Sequence, residues 1–173
     1  MLKRSLLIAC TATALGGFIS SKSAFADSHT DQVNCLALNI YHEAKNQSMV
    51  GQIAVGQVVM NRVADDRYPN TICEVVQQGP TRPSWEDPNK VYPIKHKCQF
   101  SWYCDGKTDK PRNNGLWFIA KNYANLIYSN RIPIDVTEGA THYHATYVTP
   151  AWAKTKTRTT RIDSHIFYRW EKK

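Results

Sequence analysis

The chain has 173 residues, with 22 Lys+Arg against 14 Asp+Glu and a formal net charge of +8. It carries no internal repeat or low-complexity tract, and its apolar N-terminal run is too short and too broken by Thr, Gly and Ser for a good membrane span. The positive balance points to an anionic partner, with nucleic acid, anionic membrane and bacterial cell wall all eligible; plain solubility accounts for mild basicity equally well.

The first 26 residues read as a cleaved secretory signal peptide: Lys3 and Arg4, an apolar stretch, then Ala24-Phe25-Ala26. A lipoprotein box around Cys10 is a poorer reading, because cleavage there would leave most of the apolar run attached. Removing residues 1–26 takes away three cations and no acids, which leaves residues 27–173 as one domain of 147 residues with net charge +5. The expected location is secreted or periplasmic. Four cysteines then remain, Cys35, Cys73, Cys98 and Cys104. An even count in an exported chain reads as two disulfides with three possible pairings. Cys98–Cys104 is favoured by proximity in sequence, and Cys35–Cys73 would tie two helices together. No C-x-x-C pair exists for a zinc knuckle, and an unpaired catalytic thiol would be oxidised outside the cytoplasm.

Residues 31–44 carry apolar side chains at helical spacing (Val33, Leu36, Ala37, Ile40, Tyr41, Ala44), with Asp31 as the expected N-cap. A second helix is expected from Ser48 to about Val63, apolar around almost its whole circumference and therefore buried; Gly51 and Gly56 on it suggest close neighbours. Thr71 and Glu74 stand at capping-box spacing and open a short helix. Residues 79–112 show no sustained period and read as a long functional loop or small irregular lobe. Another helix spans about Gly115–Ser129. The last third alternates and is rich in Thr, Tyr and Ile, which predicts strands with a turn at Asp163-Ser164. The basic run 154–161 reads as an exposed edge strand in preference to a polyanion grip. The fold class is α+β: helices first, a small antiparallel sheet at the C-terminal end.

"YHEAKN", residues 41–46, raises the question of zinc. A metallopeptidase helix needs H-E-x-x-H, and Asn46 stands where the second histidine should be. His142 and His144 share a strand face, but a third ligand would have to come from His42, His96 or His165, so no metal is expected. Glu43 falls about 80° to one side of the centre of the apolar face, next to Leu36, with His42 pointing nearly opposite. A carboxyl at the margin of a core is partly desolvated, which raises its pKa and suits a general acid. A solvated glutamate at a helix end, or a salt-bridge partner, is the plainer alternative.

"CLALNIYHEAKNQSMVGQIAVGQVVMNRV", "YPNTICEVV", "CQFSWYCDG", "GATHYHATYVTPAWA" and "HIFYRW" together resemble the spore cortex-lytic (SleB/CwlJ-like) cell-wall hydrolase family, over roughly residues 33–170. The resemblance implies a lysozyme-like, lytic-transglycosylase-like helical lobe, Glu43 as the catalytic residue, and cleavage of peptidoglycan between N-acetylmuramic acid and N-acetylglucosamine. It also implies Gln99, Ser101, Tyr143 and His144 as groove residues. The family's second glutamate is Gln47 here, and its turn glycine is replaced at Asp163-Ser164.

A two-carboxylate hydrolase needs a second Asp or Glu across the scissile bond. Asp65, Asp66, Glu74 and Asp105 are candidates, none in an evident cleft motif. A lytic transglycosylase needs one carboxyl as acid and then base, giving a 1,6-anhydro product. Trp102, Tyr143 and Trp152 offer flat faces to sugars, with Gln99, Ser101 and His144 as polar partners; burial in the core is the competing role for the aromatics. The expectation is therefore a monomeric peptidoglycan-cleaving glycosidase without cofactor, metal or nucleic-acid partner. Muramidase-type hydrolysis, a zinc amidase or endopeptidase using His142 and His144, a non-catalytic wall-binding module and, more remotely, a nuclease are the alternatives.

Overall fold

The first helix, α1 (His29–Ala44), begins two residues before the expected N-cap. Ser28 is the cap instead: its hydroxyl accepts the Asp31 N–H at 3.2 Å, and the Asp31 carboxylate accepts back from the Ser28 N–H at 3.2 Å. Asp31 is thus the reciprocal half of a capping box, which is why both residue types stand there. In this computed structural model the described residues are 28–172, so the expected signal peptide, residues 1–26, lies outside them.

Helix α2 (Met49–Val63) is capped by Ser48 and runs through the interior, with Val55, Val58 and Val59 fully buried. Each such side chain contributes about 1.5–3 kcal/mol of burial. The close neighbours that its glycines suggested are present. A Cβ on Gly56 would come within 2.5 Å of Ile127 Cδ1, and one on Gly51 would strike the Asp163 carboxylate.

Helix α3 (Ile72–Val76) opens on Thr71, whose hydroxyl accepts the Glu74 N–H, and packs on α1. The buried Gln32 of α1 caps it from outside, its side-chain oxygen accepting from Ile72 N at 2.7 Å. The Cys35–Cys73 disulfide joins the two helices. Helix α4 (Asn114–Tyr128) lies against α1 and α2 and buries Ala120, Ala124 and Ile127.

The segment between α3 and α4 is more regular than its sequence suggested. A short hairpin, β1 (Thr81–Pro83) with β2 (Val91–Pro93), is followed by a 3-10 helix at Ser101–Cys104. Three-residue, proline-ended strands are too brief to leave a periodic signal. The Cys98–Cys104 disulfide closes the loop around the 3-10 helix.

The C-terminal sheet is antiparallel with order β3-β5-β4, from β3 (His142–Ala145), β4 (Thr157–Ile162) and β5 (His165–Arg169). The basic run is an edge strand, as read from its alternation. Its pairing shifts register between Arg158 and Arg161. Residues 151–155 form a 3-10 helix instead of extending the strand. At the β4–β5 turn Asp163 takes φ 49°, a left-handed conformation that Asp tolerates.

That turn is fastened to the start of α2. The Asp163 carboxylate accepts from Ser48 N at 2.8 Å and Ser48 Oγ at 2.7 Å, and Ser164 Oγ donates to Gln47 Oε1 at 2.9 Å. Two of the places where the sequence departs from the family it resembles, Gln47 and Asp163-Ser164, therefore touch one another, and an acid at the helix N-terminus comes from Asp163.

Among the described residues no helix is long and apolar enough to cross a membrane.

Candidate active site

Glu43 stands on the last turn of α1, partly buried, with Asn39 one turn before it on the same stripe. Tyr143, from the middle of β3, donates its hydroxyl to Glu43 Oε2 at 3.0 Å. Burial raises the carboxyl pKa from its ordinary 4.5; the Tyr143 hydrogen bond and the Arg62 charge oppose that rise but do not cancel it. Tyr143 itself is pushed well above 10, chiefly by burial and then by the neighbouring Glu43 charge, so it remains a hydrogen donor.

Arg62 was not singled out in the sequence. It is 5% exposed, near the end of α2, and its Nε donates to Thr141 O at 2.7 Å. Its guanidinium lies 5.1 Å from the centre of the Phe100 ring and 5.4 Å from that of Tyr68. Its Nη1 is buried with no partner among the described residues. The one charged residue of a helix expected to be buried was the available signal, since such a residue is rarely buried without a task.

Helix α2 also positions β3. Gln57 Nε2 donates to Ile134 O at 2.8 Å, and Gln57 Oε1 accepts from Val136 N at 3.0 Å. Asn61 Nδ2 reaches Asp135 Oδ2 at 2.9 Å and Ala140 O at 3.0 Å. With Arg62 on Thr141, one helix thus holds the approach to Tyr143 at several points.

Trp102 is brought to α1. Its indole N–H donates to Asn39 Oδ1 at 3.1 Å, and its ring stacks on His42 with centroids 4.6 Å apart and planes 14° from parallel. Asn39 is wholly buried, and its Nδ2 has no partner among the described residues. Gln99 and Ser101 lie exposed beside Trp102, while Phe100 turns inward to the core.

His144 and Trp152 are not with this group. Neighbouring strand residues face opposite ways, so His144 leaves β3 on the side away from Tyr143. There its Nδ1 donates to Ala145 O at 2.9 Å, its Nε2 meets the Tyr168 hydroxyl at 3.0 Å, and Trp152 packs edge-on to it. His142 shares that face, with Thr141 Oγ1 at 3.0 Å from its Nδ1 and a pKa lowered to about 3 by burial and by Arg62, Lys156 and Arg67. Among the described residues no group of three or more His, Cys, Asp or Glu side chains is placed to hold a metal ion.

The four candidates for a second carboxylate are engaged elsewhere. Asp65 is held by Arg67 at 2.6 Å, which lowers its pKa to about 2. Asp66 pairs with Lys172 at 3.0 Å, Glu74 accepts from the Thr71 hydroxyl at 2.8 Å, and Asp105 faces Lys107 at 3.7 Å.

Residues 46–168 match the family described as cell wall hydrolase. The chain belongs to the cell wall hydrolase family. It is an enzyme acting on peptidoglycan; Glu43 stands just before the matched segment. The structure resembles the catalytic domain of the Bacillus cereus SleB protein, at 23% identity and TM-score 0.55, covering 80% of this chain and 89% of that one. It also resembles the catalytic domain of the germination-specific lytic transglycosylase SleB from Bacillus anthracis, at 24% identity and TM-score 0.60, covering 83% of this chain and 98% of that one. These likenesses give the hydrolase its fold, mixed helix and small antiparallel sheet of the lysozyme-like kind. No curated protein sequence matches the chain.

Proposed function

We propose that the protein is an exported lytic transglycosylase that cleaves the bond between N-acetylmuramic acid and N-acetylglucosamine, with Glu43 as its single acid and base. The observation carrying this reading is the environment of Glu43: a desolvated carboxyl hydrogen-bonded by Tyr143, near Arg62, with the four candidate carboxylates committed to other partners.

Protonated Glu43 gives its proton to the glycosidic oxygen as the C1–O bond breaks, and positive charge develops on the muramic ring. The carboxylate left behind is stabilised by the Tyr143 hydroxyl and the Arg62 charge. It then takes the proton of the muramic C6 hydroxyl as that oxygen bonds to C1. The product is a 1,6-anhydro sugar, no water is consumed, and Glu43 ends protonated. Trp102, with exposed Gln99 and Ser101 beside it, supplies the sugar-facing surface. His144 and Trp152 support β3 from its far side and need not touch the glycan. The expected signal peptide, residues 1–26, would deliver the enzyme to its substrate outside the cytoplasm.

Mass analysis of muropeptides released by the purified protein tests the reaction. Anhydromuramic ends are expected. Reducing muramic ends would instead establish hydrolysis, and released peptides with intact glycan would establish an amidase or endopeptidase. Binding to cell walls without any cleavage would establish a wall-binding module.

A further inference from the structure

A pocket of about 300 Å3 opens beside Trp102, on the flank of α1 that carries His42. It is lined by four cations, Lys45, Lys107, Lys110 and Arg112, against two acids, Asp105 and Asp109. Asp105 is paired with Lys107 at 3.7 Å, and cations still outnumber acids around the pocket. The pocket therefore presents a positive field to an entering ligand.

Its position relative to Glu43 gives this charge a meaning. Trp102 joins the two places: its N–H holds Asn39, on the Glu43 stripe, and its face lies on His42, in the pocket wall. A glycan bound with its scissile oxygen at Glu43 and a ring against Trp102 would have the pocket beside it, within reach of a substituent. In peptidoglycan the substituent is a peptide, attached through the lactyl ether of muramic acid and bearing free carboxylates. The pocket floor is also braced. His42 Nε2 donates to Asp109 O at 3.0 Å, and the Tyr41 hydroxyl accepts from Arg112 N and Asn113 N, both at 3.1 Å.

We propose that this pocket binds the carboxylates of the muramic peptide stem, so that the enzyme prefers glycan that still carries its peptides. The inference rests on the glycan-cleaving function proposed above. Lys110 and Arg112 are both exposed, so reversing them leaves the fold intact. The test compares the parent with the double variant Lys110→Glu/Arg112→Glu on peptide-bearing glycan and on the same glycan after an amidase has removed its peptides.

The expected result is a rise in KM on the order of tenfold on the peptide-bearing glycan, with kcat unchanged and cleavage of the stripped glycan unaltered. The difference should shrink at high salt. An equal rise on both glycans, or none on either, overturns the pocket's role while leaving glycan cleavage by the parent in place. A parent that cleaves neither glycan overturns the glycosidase reading, and the pocket's role with it.

Discussion

Tyr143 and Glu43, one hundred positions apart, meet through a single 3.0 Å hydrogen bond that joins the first helix to the C-terminal sheet. The hydroxyl donates, so it favours the ionised carboxylate, whereas burial favours the protonated one. The opposing influences leave the carboxyl above its ordinary range yet still able to release a proton.

Replacing Glu43 by Gln should reduce cleavage by about 10²–10⁴-fold, the usual contribution of a general acid. The same variant should melt no lower than its parent at pH 7. A carboxyl whose pKa is raised on folding disfavours the folded state above that pKa, and the penalty disappears below the unfolded value. At pH 4 the two proteins should therefore melt together. A Gln variant markedly less stable at pH 7 would show that the ionised carboxylate supports the fold.

In the proposed mechanism Glu43 acts protonated, so activity should fall as pH rises through its raised pKa. Tyr143→Phe removes a hydrogen bond that lowers that pKa, so the alkaline limb of the pH–rate profile should move upward while the maximal rate drops. An unmoved limb in the Phe variant would separate Tyr143 from the titrating acid.

Arg62→Met tests the buried cation. Loss of its charge should also raise the Glu43 pKa and lower kcat, on the order of tenfold. The variant removes a desolvated charge with an unpartnered N–H, but it leaves Thr141 O without its donor. These offset, so the unfolding free energy should change by less than about 2 kcal/mol. A large loss of kcat without movement of the pH limb would assign Arg62 to holding β3 alone.

The two disulfides should divide their duties. Cys35–Cys73 spans 38 positions, and its loss should cost about 4 kcal/mol by the chain-entropy argument. Cys98–Cys104 spans only 6, for about 2 kcal/mol, but it closes the loop that carries Trp102. Paired Cys→Ser variants should show the first lowering the melting temperature more and the second raising KM more.

Helical spacing made α1, α2 and α4 legible in the sequence, and alternation made the edge strand legible. The period could not reveal β1 and β2, which are too short to display one, nor the true cap of α1, since Ser28 and Asp31 both suit that end. Phase around α1 placed Glu43 at the core margin, which is where burial raises its pKa. The pairing of Glu43 with Tyr143 depends on tertiary approach, and no local pattern encodes it. The family resemblance implies Tyr143 and His144 together as groove residues, whereas a strand turns adjacent side chains apart. Arg62, Asn39, Gln57 and Asn61 were hidden for the opposite reason: each is a polar residue inside a helix read mainly for its apolar face. Gln47 and Asp163 looked like independent departures, and their contact through Ser48 and Ser164 exists only in three dimensions.

Strand order links the last strand of the sheet to Glu43. β5 is the middle strand of its sheet although it is the last of the three along the chain, and among the described residues β3 has no other strand partner. The strand that presents Tyr143 to Glu43 is thus held by α2 on its approach and by residues 165–169 along its length. A chain lacking residues 165–169 would keep Glu43 but lose the strand that backs Tyr143. Loss of that short C-terminal stretch should therefore be felt at Glu43, the proposed acid, through Tyr143.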